Sequence, residues 1–129
     1  MMKKEAFLNI MGRGGLMPIF THNDPDVACQ MVDIAVKRGV NNFEFTNRTS
    51  NALEVFRVLR AHISAHHPKV ILGAGTLYTI QDIENYQEAG ADFFVAPILS
   101  EEVGQYCKEH NLIWIPGCGT VTEVFNAVE

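Results

Sequence analysis

Glu44 and Arg48 stand four residues apart in Phe43-Glu44-Phe45-Thr46-Asn47-Arg48-Thr49, where an apolar strand gives way to a loop. Packing alone asks for neither a carboxylate nor a guanidinium there. Strand alternation puts Phe43 and Phe45 on one face and Glu44 on the other. A carboxylate taken out of water on an inward face has a raised pKa, which suits it to moving protons near neutral pH. The plainer alternative is a strand-end carboxylate that simply pairs with a neighbouring arginine. Arg48 leaves two readings open, a solvated loop charge or a fork for a substrate carboxylate or phosphate.

A second candidate segment is Gly73-Ala74-Gly75-Thr76. It is neither a Walker loop nor a dinucleotide fingerprint. Its glycines would admit a ligand to the backbone and Thr76 could bind an oxygen, or the segment is only a tight turn. His62 and His66 share helical i, i+4 spacing, but no third ligand lies near them in sequence. They are expected to be surface histidines, and no metal is expected. The cysteines (Cys29, Cys107, Cys118) show no metal spacing and are expected in the core, as in a reducing cytoplasm.

The elements that must position these residues repeat one pattern: an apolar run, a polar or Gly-containing loop, then a helical period. Residues 1–14 read as an amphipathic lead-in helix, and five strand–helix units follow from about residue 16. The strands are expected over Leu16–Phe20, Val40–Thr46, Val70–Leu72, Asp92–Ala96 and Leu112–Ile115. Asp24 with Pro25, Thr79 with Asp82, Ser100, and Thr120 with Glu123 mark helix starts. Gly39 and Gly90 mark stops. Ala28, Met31, Val32 and Ala35 read as the inward stripe of the first unit's helix, and Ala52, Val55, Phe56, Leu59 and Ile63 as that of the second.

This alternation implies an α/β fold with a parallel sheet and right-handed crossovers. The units have the compact spacing of a (β/α)8 barrel, which needs roughly 200 residues or more. Five units make either an open sheet or the N-terminal part of such a barrel. The unusual residues all follow strands, the side on which barrel enzymes carry their sites.

The 129 residues suffice for one domain with a core, and their net charge of −5 argues against a nucleic-acid partner. No apolar run has the length of a membrane span, and the N-terminus does not read as a signal peptide.

Taken together, Phe43-Glu44-Phe45-Thr46-Asn47-Arg48, Gly73-Ala74-Gly75-Thr76, Ala96-Pro97 and Ile115-Pro116-Gly117-Cys118-Gly119-Thr120-Val121-Thr122-Glu123 resemble the 2-keto-3-deoxy-6-phosphogluconate (KDPG) and 4-hydroxy-2-oxoglutarate (KHG) aldolases. The resemblance covers essentially the whole chain, with the motifs in family order. It implies that residues 1–129 are the N-terminal part of one (β/α)8 TIM barrel. It further implies a homotrimeric, cytoplasmic class I aldolase that needs no metal or cofactor. Such an enzyme cleaves KDPG to pyruvate and glyceraldehyde 3-phosphate, or KHG to pyruvate and glyoxylate. By the same resemblance Glu44 is the proton-shuttling glutamate, Arg48 and Thr76 hold the pyruvate carboxylate, and Pro97 lines the pocket. An arginine at position 48 favours the gluconate-type substrate over the galactonate type.

The family's Schiff-base lysine lies on the sixth strand, which would fall beyond Glu129, and its phosphate loops follow strands seven and eight. Lys3, Lys4, Lys37, Lys69 and Lys108 occupy none of these places. The chain alone is therefore expected to be inactive and to be a truncated product or fragment, with open strand edges. Two alternatives stand beside this. One is a phosphate-binding barrel isomerase using Glu44 as base; the other is a non-catalytic half-barrel or assembly partner.

Overall fold

In the computed structural model, which describes residues 2–128, each apolar run becomes a strand and each helical period a helix. Met1 and Glu129, the end positions of the expected 1–129 unit, lie outside the described residues. The order is α1 (Lys4–Gly14), β1 (Ile19–Phe20), α2 (Pro25–Val36), β2 (Asn42–Thr46), α3 (Ala52–His66), β3 (Ile71–Gly75), α4 (Ile80–Glu88), β4 (Phe94–Ala96), α5 (Glu101–Glu109), β5 (Trp114–Pro116) and α6 (Val121–Val128). The strands form one parallel sheet in sequence order, β1-β2-β3-β4-β5.

The helix boundaries follow from local chemistry. Asp24 accepts from the amides of Asp26 and Val27 ahead of Pro25, Thr79 and Asp82 form a reciprocal capping box, and Ser100 accepts from Val103 N. Ahead of α6, Thr120 Oγ1 accepts from Glu123 N, and the Glu123 carboxylate accepts from Gly119 N. Gly39 and Gly90 take positive φ values of 91° and 88° just past α2 and α4, a conformation that costs glycine little.

Two apolar layers flank the sheet. The outer layer packs Phe43, Phe45, Leu72, Ala74 and Phe94 against buried residues of α2, α3, α4 and α5. Phe20, Phe45, Phe56 and Tyr86 continue through it as a chain of edge-to-face ring pairs. The inner layer gathers Met17, Ile71, Phe93, Val95, Ile113 and Ile115 around Phe7 of α1, whose ring lies 5.0 Å from that of Phe93. Thus α1 plugs the concave face at the N-terminal ends of the strands. Asp92 fastens that end as well, accepting from Arg60 Nη1 and from the amide of Leu72, both at 2.8 Å.

Three expectations change. Met31 is 42% exposed and does not join the inward stripe, because the α2 positions that meet the sheet are Ala28 and Val32, one turn apart. Gly73-Ala74-Gly75 is not a loop but the second half of β3, paired with Glu44, Phe45 and Thr46. β1, β4 and β5 are shorter than their expected runs, at two, three and three residues. Ile19 stays exposed on β1, and Val121, Val124, Phe125 and Val128 leave an uncovered apolar face on α6. No helix among the described residues is long and apolar enough to cross a membrane.

Candidate functional site

β2 sends Asn42, Glu44 and Thr46 to the inner face, and all three are buried. Glu44 is 5% exposed, and its backbone amide donates to the carbonyl of Pro18 at 2.9 Å. Its carboxylate lies directly over Gly75, where an added Cβ would collide with the carboxylate oxygen and also crowd Glu44 Cγ at 2.9 Å. Gly73, which pairs with Glu44 in register, is covered in the same way by the ring of Phe93. Both glycines are therefore space for neighbours rather than turn residues. Burial pushes the Glu44 carboxyl above its ordinary value, and the charge of Arg48 partly offsets that rise.

The chain turns sharply after β2. Arg48 N donates to Thr46 O, and Asn47 N donates across to Gly75 O, each at 2.9 Å. The Asn47 side chain accepts a 3.0 Å hydrogen bond from the hydroxyl of Tyr86 on α4. Arg48 then lies over the end of β3, where its Nε donates to Thr76 Oγ1 at 3.2 Å. Thr76 holds φ at +62°, a left-handed conformation that costs a residue with a Cβ about 1–2 kcal/mol. Glu44, Arg48 and Thr76 thus gather at the C-terminal ends of two adjacent strands.

Pro97 lies two strands along from Glu44, just past β4, and is exposed. Its carbonyl occupies the space that a Cβ on Gly117 would need, while Gly117 N donates to Ala96 O at 2.8 Å. The structure thus joins Pro97 to the Pro116-Gly117 segment rather than to the Arg48–Thr76 pair. Leu77 N donating to Val95 O at 3.2 Å links the two halves of this rim.

Thr21 was not anticipated from the sequence. It directly follows β1, and its Oγ1 is buried with no hydrogen-bond partner among the described residues. Phe20 faces outward onto Phe43 and Phe45, so strand alternation turns Thr21 to the face of Glu44 and Thr46. A buried hydroxyl left unpaired costs about 1–3 kcal/mol, which an incoming oxygen would recover. Asn47 and Tyr86 were also missed, because their bond spans 39 residues and leaves no local signal.

The histidines depart from expectation too. His62 is not a bare surface residue: His62 Nε2 and His67 Nε2 each lie 2.7 Å from Asp33 Oδ1. The third donor comes from α2, far away in sequence. Cys107 is buried, and burial pushes its thiol up to about 11.

Residues 8–129 match the family model described as "KDPG and KHG aldolase". The chain is 32% identical over 121 residues to the 2-dehydro-3-deoxy-phosphogluconate aldolase of Dickeya dadantii, covering 94% of this chain and 55% of that protein. It is 31% identical to the KHG/KDPG aldolase of Escherichia coli, with the same coverage. The crystal structure of 2-keto-3-deoxy-6-phospho-gluconate aldolase from Zymomonas mobilis superposes with a TM-score of 0.83 at 28% identity, over 93% of this chain and 56% of that one. The chain therefore spans about half the length of the relatives it matches.

Proposed function

The chain belongs to the KDPG and KHG aldolase family, and from that premise we propose that Glu44, Arg48 and Thr76 form the proton-shuttling and carboxylate-binding half of a class I aldolase site. The observation that carries this reading is the buried Glu44 carboxylate held over Gly75 beside the hydrogen-bonded Arg48–Thr76 pair. Anchoring Arg48 through Nε orients its two Nη groups as the planar fork that a carboxylate takes in two parallel bonds. Pyruvate, or the pyruvate end of a longer 2-keto acid, binds there, with its C2 carbonyl turned toward Glu44.

Glu44 is suited to the proton traffic of such a reaction. A carboxyl with a raised pKa can give a proton to an oxygen leaving C2 and take one from the hydroxyl of the carbon being released. The electron sink is the Schiff base that the family forms on its sixth-strand lysine. None of this chain's lysines lies beside Glu44. Lys3 and Lys4 are at the start of α1, Lys37 caps the C-terminal end of α2, Lys69 precedes β3, and Lys108 is on α5. KDPG and KHG cleavage, the homotrimeric state, a cytoplasmic setting and a place for Pro97 in the pocket wall belong to the same proposal, for a protein with the whole length of these relatives.

Two measurements test it on the 129-residue chain. Titrating pyruvate should shift the Arg48 and Thr76 backbone amide resonances, and flat resonances would remove the carboxylate clamp. Incubation with pyruvate and borohydride should leave the mass unchanged, because no lysine stands where it can form the imine. An adduct on any lysine would overturn that part of the reading.

A further inference from the structure

At the opposite end of the strands from Glu44, the last turns of α2 and α3 bring three metal-ligating side chains together. Asp33 is on α2, His62 is one turn before the end of α3, and His67 is the residue at which α3 stops. His67 takes φ −136° and ψ 57°, so the chain leaves the helix there, and the ring reaches Asp33. The three donor atoms, two Nε2 and one carboxylate oxygen, all lie within 4.8 Å of one another. The histidine side chains are only 22% and 21% exposed and that of Asp33 is 35% exposed. The cluster is thus closed on the protein side and open to solvent on one.

We propose that Asp33, His62 and His67 bind a zinc ion that ties α2 to α3. One hydrogen bond would be enough to pin two helices. Two imidazole nitrogens converging on one carboxylate oxygen are instead the arrangement of a three-ligand site. Donors bound tetrahedrally to zinc at about 2.0–2.1 Å sit roughly 3.3 Å apart. The two nitrogens are each 2.7 Å from Asp33 Oδ1, so a small outward rotation of the carboxylate makes room for the ion. Each ring would hold its proton on Nδ1 and turn the Nε2 lone pair to the metal. Two imidazoles with one carboxylate are the borderline donor set that suits zinc. Calcium and magnesium call for oxygen ligands alone. The fourth position faces solvent and would take water. His66 is exposed, with its ring 4.6 Å from that of His62, and is not needed for the set.

The site is structural. It lies toward the N-terminal ends of β2 and β3, whereas Arg48 and Thr76 follow their C-terminal ends, and each of these strands spans about 13 Å at about 3.3 Å per residue. Zinc here touches no group of the proposed aldolase site.

The test is a zinc titration of the metal-free 129-residue chain, competed against a chromophoric chelator. The unsubstituted chain should bind one equivalent of zinc and melt at a higher temperature with it. Asp33→Asn and His67→Gln should each weaken binding about tenfold or more and abolish the thermal shift. His110→Gln, at the far end of α5, should leave both unchanged. Absence of a single tight equivalent would overturn the site. So would equal affinity in the unsubstituted chain and whichever of the two ligand variants is folded by circular dichroism.

Discussion

Replacing Gly75 with alanine tests directly whether the glycine exists to seat the Glu44 carboxylate. The three atoms nearest to a Cβ at this position all belong to Glu44, and they include Cγ, so swinging the carboxylate tip aside does not clear the space. The whole side chain must change rotamer. Overpacking of this kind costs about 1–3 kcal/mol. Gly75 does not use a positive φ, so alanine fits the backbone and recovers about 0.5–1 kcal/mol of chain entropy. The net expectation for Gly75→Ala alone is a loss of roughly 0–2.5 kcal/mol. In a Glu44→Ala background the obstruction is gone and only the gain remains, so the same substitution should stabilise by about 0.5–1 kcal/mol. The reversal of sign is the diagnostic. Urea denaturation of the four proteins closes the cycle, with an expected coupling of about 1–3 kcal/mol. If the two substitutions add to within about 0.5 kcal/mol, Glu44 does not rest on Gly75 and the description of the site is wrong.

Two further outcomes follow from the structure. Burial raises the Glu44 carboxyl above its ordinary value of 4.5, so the folded chain keeps this proton to higher pH than the unfolded chain does. Stability from this group is therefore fully present below the unfolded value and is lost as pH rises through the raised folded one. Glu44→Gln should remove that slope, so that its stability gains on the unsubstituted chain as pH climbs from 4.5; parallel urea-midpoint profiles would refute it. Asp92→Ala should cost about 1–3 kcal/mol in urea denaturation by leaving the buried Leu72 amide and Arg60 without their acceptor. A loss below about 0.5 kcal/mol would show that water replaces the carboxylate.

Much of the fold was legible because its signals are local. Asp24, Thr79, Ser100 and Thr120 announce helices by chemistry that acts within three residues of the cap. The buried face of α3, from Ala52 to Ile63, follows from helical spacing alone. The end of β3 was not legible for a definite reason. Glycine is a poor strand former taken by itself, so Gly73-Ala74-Gly75 reads as a turn until the neighbours that need the room are known. Those neighbours are far away in sequence, Glu44 on β2 and Phe93 just ahead of β4. Met31 was misplaced for a related reason, since period alone does not choose between adjacent positions at the margin of a stripe.

The same division runs through the candidate site. Glu44 could be assigned to the inner face from Phe43 and Phe45 alone, because strand alternation needs only neighbouring residues. The bond from Arg48 to Thr76 spans 28 residues, and that from Tyr86 to Asn47 spans 39. Neither has a local signature, yet together they hold the loop after β2 in place. The histidines make the point most sharply. Spacing on an unbroken helix pairs His62 with His66, the last residue of α3, and says nothing of the residue after it. The helix stops at His67, that residue turns back toward α2, and Asp33 receives His62 and His67 instead. A single backbone departure at a helix end converts two apparently idle histidines into two convergent ligands. The zinc titration therefore tests the helix boundary as much as it tests the donor set.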